Sequence, residues 1–417
     1  KFHNGDEMTA EDVEASMNRW LENSARAKML LSGSEFVAVD DYTVELHLQE
    51  RASDTLDIMA GQGQFPAIMP KEVIESATAD GVEELIGTGP FKFEEWKQDQ
   101  YVHLVKFDDY QARDDEASGL AGKKEALVDN VYYYIVTDPS TRLAGLQTGE
   151  YHIADSMPFN NFEQIQNTDG VEAHVFLDGT LNMFYNKKEG LMADEKMRQA
   201  VNAALDMEAV MMASFANEEL YEISNSYMNP NVVNWATDAG SESYNVADPE
   251  KAKQLAAEAG YNGEEITILT TRDYEYHYNS AVVVQEQLQQ AGFNVKLDVY
   301  DWPTLLSKRD DASTWDMFFT GTGYVTTPTQ LLAVNSNYAG WTNSETITQL
   351  LGEIRSAETQ EESKAKWEEL QAFMWNEYLP SSLFGNYTRI VGVADSVENV
   401  NIFDGVGILP WNVSVKE

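Results

Sequence analysis

With 417 residues and 46.8 kDa, the chain exceeds what one hydrophobic core organises, so two or three domains are expected. Its 28 Lys and Arg against 70 Asp and Glu leave a net charge of −42 and a pI near 4.3, a surface that repels nucleic acid and anionic lipid headgroups. At 43% hydrophobic and 11% aromatic residues the acidity coats a globular protein, as in proteins bathed in high salt, and zero cysteines exclude disulfides, thiolate metal sites and a cysteine nucleophile. In chain order, Thr9-Ala10-Glu11-Asp12 resembles a capping box and opens a helix to about Asn23. Phe36 to Leu48 alternates as a hairpin around Asp40-Asp41, and a short helix starts at Lys71. Gly87-Thr88-Gly89-Pro90 marks a boundary, followed by strands over 91–96, 101–107 and 131–136 and a helix from Pro139 to Thr148, ended by Gly149. Further helices are expected over 194–205 and from Asp248-Pro249 to Gly260.

The run after Gly260 is the most informative. Glu265–Thr271 reads as a strand, and Ala281, Val284, Leu288 and Ala291 form a helical stripe ended by Gly292. Strands over 293–300 and 315–320 flank a short helix from Pro303, which predicts a parallel sheet with crossover helices. Residues 344–378 are helical, and strands over 389–393 and 411–415 close the chain. Lys1-Phe2-His3 reads as a strand end running into an Asn4-Gly5 turn, so leading strands are expected before it, together with any signal or lipid-attachment cysteine.

No constellation points to catalysis. The six histidines, His3, His47, His103, His152, His174 and His277, nowhere stand at a metal-ligand spacing, and they read as ordinary core or surface residues. Acidic pairs such as Asp108-Asp109 read as solvated faces. Neither a G-x-S-x-G nor a phosphate loop occurs, and Gly61-Gln62-Gly63 and Gly321-Thr322-Gly323 read as tight turns. Ligands of open parallel sheets sit at the carboxyl ends of the strands, here Thr270–Tyr274 and Gly321–Thr327. Arg272 stands there in an arginine-poor chain: it either clamps a carboxylate bidentately or pairs with a neighbouring acid. Tyr274, Tyr276, Tyr324 and Trp341 would add apolar walls with polar tips.

These residues also carry a resemblance. Phe2-His3-Asn4-Gly5 with Thr9-Ala10-Glu11-Asp12-Val13 resembles the F-x-[DN]-G…T-A-x-D-V signature of the family 5 extracellular solute-binding proteins, the peptide-type receptors of ABC importers. Gly87-Thr88-Gly89-Pro90-Phe91, the LQTGEYHI run from Leu146 to Ile153, Arg198-Gln199-Ala200 with Ala204-Leu205-Asp206, and the segment from Ala252-Lys253 to Gly260-Tyr261 resemble further family elements in the right order. The resemblance implies an α/β, bilobal periplasmic-binding-protein-like fold of class II with the extra subdomain of the peptide-binding type. Residues 1–86 would be that subdomain, truncated at its start, 87–183 with 386–417 lobe one, and 184–385 lobe two. The hinge would involve Asn186, Gly385 and Asn386.

The implied function is a monomeric, non-enzymatic, extracytoplasmic receptor, lipid-anchored or periplasmic, that hands a solute to ABC permease subunits and needs no cofactor or metal. The solute is expected to be an oligopeptide; an oligosaccharide receptor and a secreted halophilic hydrolase are the alternatives. The ligand-binding set is Arg272, Tyr274, Tyr324, Thr326, Thr327 and Trp341, with Asn182 and Tyr185 beside the hinge. One departure stands out: many peptide-binding members carry Asp-Pro where this chain has Thr327-Pro328, and a neutral Thr offers no charge-assisted bond to an ammonium group.

Overall fold

Asp12 accepts the backbone N–H of Thr9 at 2.7 Å and its hydroxyl at 3.0 Å, so the capping box closes and starts the helix Ala10–Asn23. The buried side of that helix, Met17 and Trp20, packs with Leu30, Phe36 and Ile58 into a local core. Phe36 comes from the antiparallel hairpin of β1 (Glu35–Asp40) and β2 (Thr43–His47), whose turn is Asp41-Tyr42, one residue beyond the expected Asp40-Asp41 because Asp40 still pairs with Thr43. The computed structural model describes residues 1–61, 63–78 and 81–416, so Gln62 of the Gly61-Gln62-Gly63 turn lies outside the described residues.

Two of the quoted motifs meet in space. His3 accepts the N–H of Gly87 on Nδ1 at 3.2 Å, which leaves its Nε2 to donate to the carbonyl of Gly89 at 3.1 Å. The Phe2–Gly5 and Gly87–Phe91 signatures therefore form one corner joined through an imidazole. Partial burial lowers the His3 pKa, the direction that keeps Nδ1 an acceptor. Beyond the corner, β3 (Phe91–Lys97), β4 (Tyr101–Lys106) and β5 (Asn130–Tyr134) make an antiparallel sheet, and the helix Pro139–Thr148 ends at Gly149 in the left-handed conformation.

The chain divides into unit 1, Lys1–Phe176 with Ile390–Glu417, and unit 2, Leu177–Arg389. Two long strands pass from one to the other: β7 (Val171–Tyr185), which follows the two-residue β6 (Ile153–Ala154), and β12 (Ser381–Ala394). Between them in sequence lie β8 (Tyr221–Glu222), β9 (Glu265–Thr271), β10 (Asn294–Tyr300) and β11 (Met317–Gly323). The sheet order is β10-β9-β11-β7-β12-β6, with β8 also on β12.

The expected parallel sheet holds for β10, β9 and β11, but β7 runs antiparallel to β11, so the sheet is mixed. The borders also fall elsewhere than expected. Positions 183/184 and 385/386 lie inside β7 and β12 within unit 2, and the passages are at Phe176–Leu177 and Arg389–Ile390. A continuous strand puts no Gly/Pro punctuation at its passage, so no composition shift marks the border.

Arg198 accounts for the R-x-A motif. It is 1% exposed and donates to the carbonyls of Met192, Ala193, Tyr378 and Leu379, none of them acids. The guanidinium thus satisfies the last carbonyls of the helical stretch that leads into β12.

Candidate functional site

Past Met317 and Phe318, β11 no longer pairs with β9, and the strand ends part. His277, from the helix Glu275–Gln290, fills the opening. Its Nε2 accepts the N–H of Gly321 at 3.0 Å, and its carbonyl accepts the hydroxyl of Thr270 at 2.9 Å. A backbone N–H can only donate, so the proton of the neutral ring sits on Nδ1, which is buried and has no partner. Burial drives the His277 pKa down to about 3, so the ring stays neutral.

The two faces of the sheet differ at these strand ends. Glycines stand on one: a Cβ on Gly321 would lie 2.6 Å from the hydroxyl of Tyr387 and 3.0 Å from that of Tyr276, and one on Gly179 2.8 Å from Tyr387. Both rings stack with Phe215, and burial pushes the Tyr276 hydroxyl up to about 12. Gly321-Thr322-Gly323 is therefore a strand end that makes room for tyrosines, not the expected tight turn. The opposite face is polar. Thr322 pairs with Thr180, their hydroxyls are 2.7 Å apart, and Asn182 Nδ2 donates to both at 2.9 Å. A space of about 20 Å³, room for one water, is bounded by these three residues with Tyr227, Leu331 and Ala333. Because Tyr387 points to the glycine face, Asn386 points to the polar one; its Oδ1 accepts the hydroxyl of Tyr324 at 3.1 Å.

The residues expected from sequence are only partly brought together. Arg272 is exposed, makes no ion pair among the described residues, and lies 3.7 Å over the ring of Tyr278. Pairing with a neighbouring acid is thus not its role. Tyr274 is 42% exposed and packs edge-on to Trp302 at 5.1 Å. Tyr324 and Asn182 stand on the polar face as described, and Thr326 binds Gln330 Oε1 through its N–H at 3.3 Å. Thr327 is fully buried against Thr329.

Trp341 is elsewhere. It stacks on Trp315 at 5.7 Å beneath Lys188, and Met317 pairs with Tyr185, which puts Trp341 at the opposite end of β11 from Tyr324. It cannot share a wall with Tyr324. Tyr185 is buried with its hydroxyl 2.7 Å from Ser382, and Asn186 is buried, donating to the carbonyls of Ala312 and Trp315. Asn186, Gly385 and Asn386, expected at the hinge, all lie inside unit 2 rather than at its passages. Thr180, Thr322, Gln330 and Tyr387 are not among the expected residues; the small-residue alternation Gly321-Thr322-Gly323 beside Gly179-Thr180 is a signal for the two threonines, and Gln330 and Tyr387 have none in the sequence.

Among the described residues burial raises the carboxyls of Asp57 in unit 1, where neighbouring Asp54 adds to the shift, and of Asp316 in unit 2, and Asp316 accepts the N–H of Thr267 within the sheet. Among the described residues no group of three or more His, Asp or Glu could hold a metal ion.

Two units joined by long shared strands, with neutral polar groups and tyrosines at the strand ends, define a solute-binding protein. The chain belongs to the bacterial extracellular solute-binding proteins, family 5, whose model matches residues 1–344. It is 30% identical, over 99% of its length and 80% of the relative's, to the probable peptide ABC transporter periplasmic-binding protein y4tO of Sinorhizobium fredii. It is 26% identical to the oligopeptide-binding protein AppA of Bacillus subtilis, over 89% of this chain and 70% of AppA. Among solved structures it is similar to the binding protein AgaA of A. tumefaciens R10 in complex with agropinic acid, at TM-score 0.80 and 25% identity, covering all of this chain and 85% of that one. The peptide-binding protein AppA of Clostridium difficile shares the fold at TM-score 0.85 and 20% identity, over 100% and 87% of the two chains. The protein is thus a bilobal α/β solute-binding protein acting outside the cytoplasm. No helix among the described residues is long and apolar enough to cross a membrane.

Proposed function

We propose that this chain captures a peptide of several residues and delivers it to the permease subunits of an ABC importer. Membership of the family, with y4tO and AppA among the relatives, carries this reading. The strand-end groups suit it: neutral donors serve a backbone, and Arg272, free of acids, suits a peptide carboxylate. A sugar would need a broad aromatic platform, and Trp341 at the far end of β11 takes one of the four expected rings out of it. We further take the protein to be a monomer, lipid-anchored or free in the periplasm. Mass spectrometry of what co-purifies with the protein from its own host tests the ligand: peptides are expected, and a neutral glycan overturns the assignment.

A further inference from the structure

The unspent hydrogen-bonding capacity of the polar face of unit 2 is chiefly of one sign. Gln330 is 5% exposed; its Oε1 takes the backbone N–H of Thr326, which fixes the amide orientation and leaves Nε2 buried without an acceptor. Asn386 is fully buried, its Oδ1 occupied by Tyr324, and its Nδ2 also lacks an acceptor. In the Thr180–Thr322–Asn182 group, Asn182 donates to both hydroxyl oxygens and one threonine donates to the other, so the second threonine's proton is left over. Buried donors without acceptors are costly, and natural structures seldom leave them so. Nothing on this stretch offers a counter-charge for a cation: the run Met317–Gln330 contains no acid, and Asp178 is held by Arg389 at 2.7 Å.

We propose that this face reads oxygen acceptors on the solute, peptide carbonyl or carboxylate, through Asn386 Nδ2, Gln330 Nε2 and the spare threonine hydroxyl, and that it receives no ammonium group. The inference rests on the peptide reading above. The 20 Å³ space between the threonines and Leu331 has room for a single oxygen and not for a side chain. Recognition here is of the backbone, and specificity for side chains lies elsewhere.

Calorimetric titration with tetra-alanine, N-acetyl-tetra-alanine and tetra-alanine amide tests this on the wild type, Asn386→Asp and Gln330→Met. Acetylation is expected to change the wild-type Kd by less than about threefold. Asn386→Asp, which sets an anion against acceptor oxygens, should weaken the acetylated peptide by about tenfold or more. A loss on Asn386→Asp that is confined to peptides with a free carboxylate assigns the acceptor to the terminal carboxylate, and an equal loss for the amide assigns it to a backbone carbonyl. Binding that is abolished by acetylation, and strengthened for the free peptide by Asn386→Asp, overturns the inference while leaving the peptide reading intact. If none of the three peptides binds the wild type, the peptide reading falls and takes the inference with it. Should Asn386→Asp fail to fold by circular dichroism, Gln330→Met decides: about a tenfold loss is expected, and unchanged affinity overturns the proposal.

Discussion

His277 holds two strands apart with one ring, and its chemistry sets a pH dependence. The folded pKa of about 3 lies below the ordinary 6.5, so the unfolded chain binds the extra proton first. Stability from this residue is therefore full above pH 6.5 and is lost as the pH falls toward 3, at up to about 1.4 kcal/mol per unit. His277→Gln, which keeps an acceptor for Gly321, should show a shallower fall in melting temperature between pH 6.5 and 4.5 than the wild type. Parallel curves would assign the acid sensitivity to other groups. Arg272 makes the complementary test at the site. Its replacement by Ala should weaken a peptide with a free carboxylate by about tenfold to a hundredfold, the worth of a charged hydrogen bond, and leave a C-terminal amide nearly unchanged. Arg272 and Tyr274 were legible in the sequence because they follow a strand with clear signals. Thr180 was not, and Asn386 only as a hinge position that the resemblance implies, since their place on the polar face depends on β7 and on the first part of β12.

Those strands show which elements a sequence hides. Helices announced themselves through caps, as at Thr9, Asp248-Pro249 and Gly149, because capping groups are local. From Gly179 to Tyr185, β7 is buried at every residue, and β12 is buried over nearly all its length, so neither shows the alternation that reveals a half-exposed strand. The Arg389–Val393 segment was read as a strand, but not the eight residues before it. Within β12, Gly385 is required by β8: a Cβ there would sit 2.5 Å from the carbonyl oxygen of Glu222. Gly385→Ala should destabilise the protein by about 1–3 kcal/mol in urea unfolding, as overpacking against backbone does. Gly352 is the control, exposed inside the helix Glu345–Ser356 with nothing within 4 Å of a new Cβ. Gly352→Ala should stabilise by about 0.5–1 kcal/mol. A Gly385→Ala variant as stable as the wild type would mean that β8 can be displaced at no cost.

At the scale of the molecule the net charge of −42 dominates. The ion pairs are mostly between exposed partners, such as Lys71–Glu11 and Lys196–Glu258, and pairs of this kind contribute about 0–1 kcal/mol each. Only 28 cations stand against 70 acids, so most carboxylates face like charges across the surface. That repulsion is relieved when the chain expands, which favours the unfolded state. Salt screens it over a Debye length that falls from about 30 Å at 0.01 M to about 3 Å at 1 M. The melting temperature should therefore rise with NaCl, with most of the rise complete by about 0.5 M, where screening already acts at the spacing of neighbouring charges. Exclusion of salt from the surface would instead give a rise that continues into the molar range, and sucrose would reproduce it. A melting temperature that is flat or falls from 0.01 to 1 M would mean that the screened attractions of the exposed pairs outweigh the repulsion, and would overturn the expectation, drawn from composition alone, of a surface suited to saline surroundings.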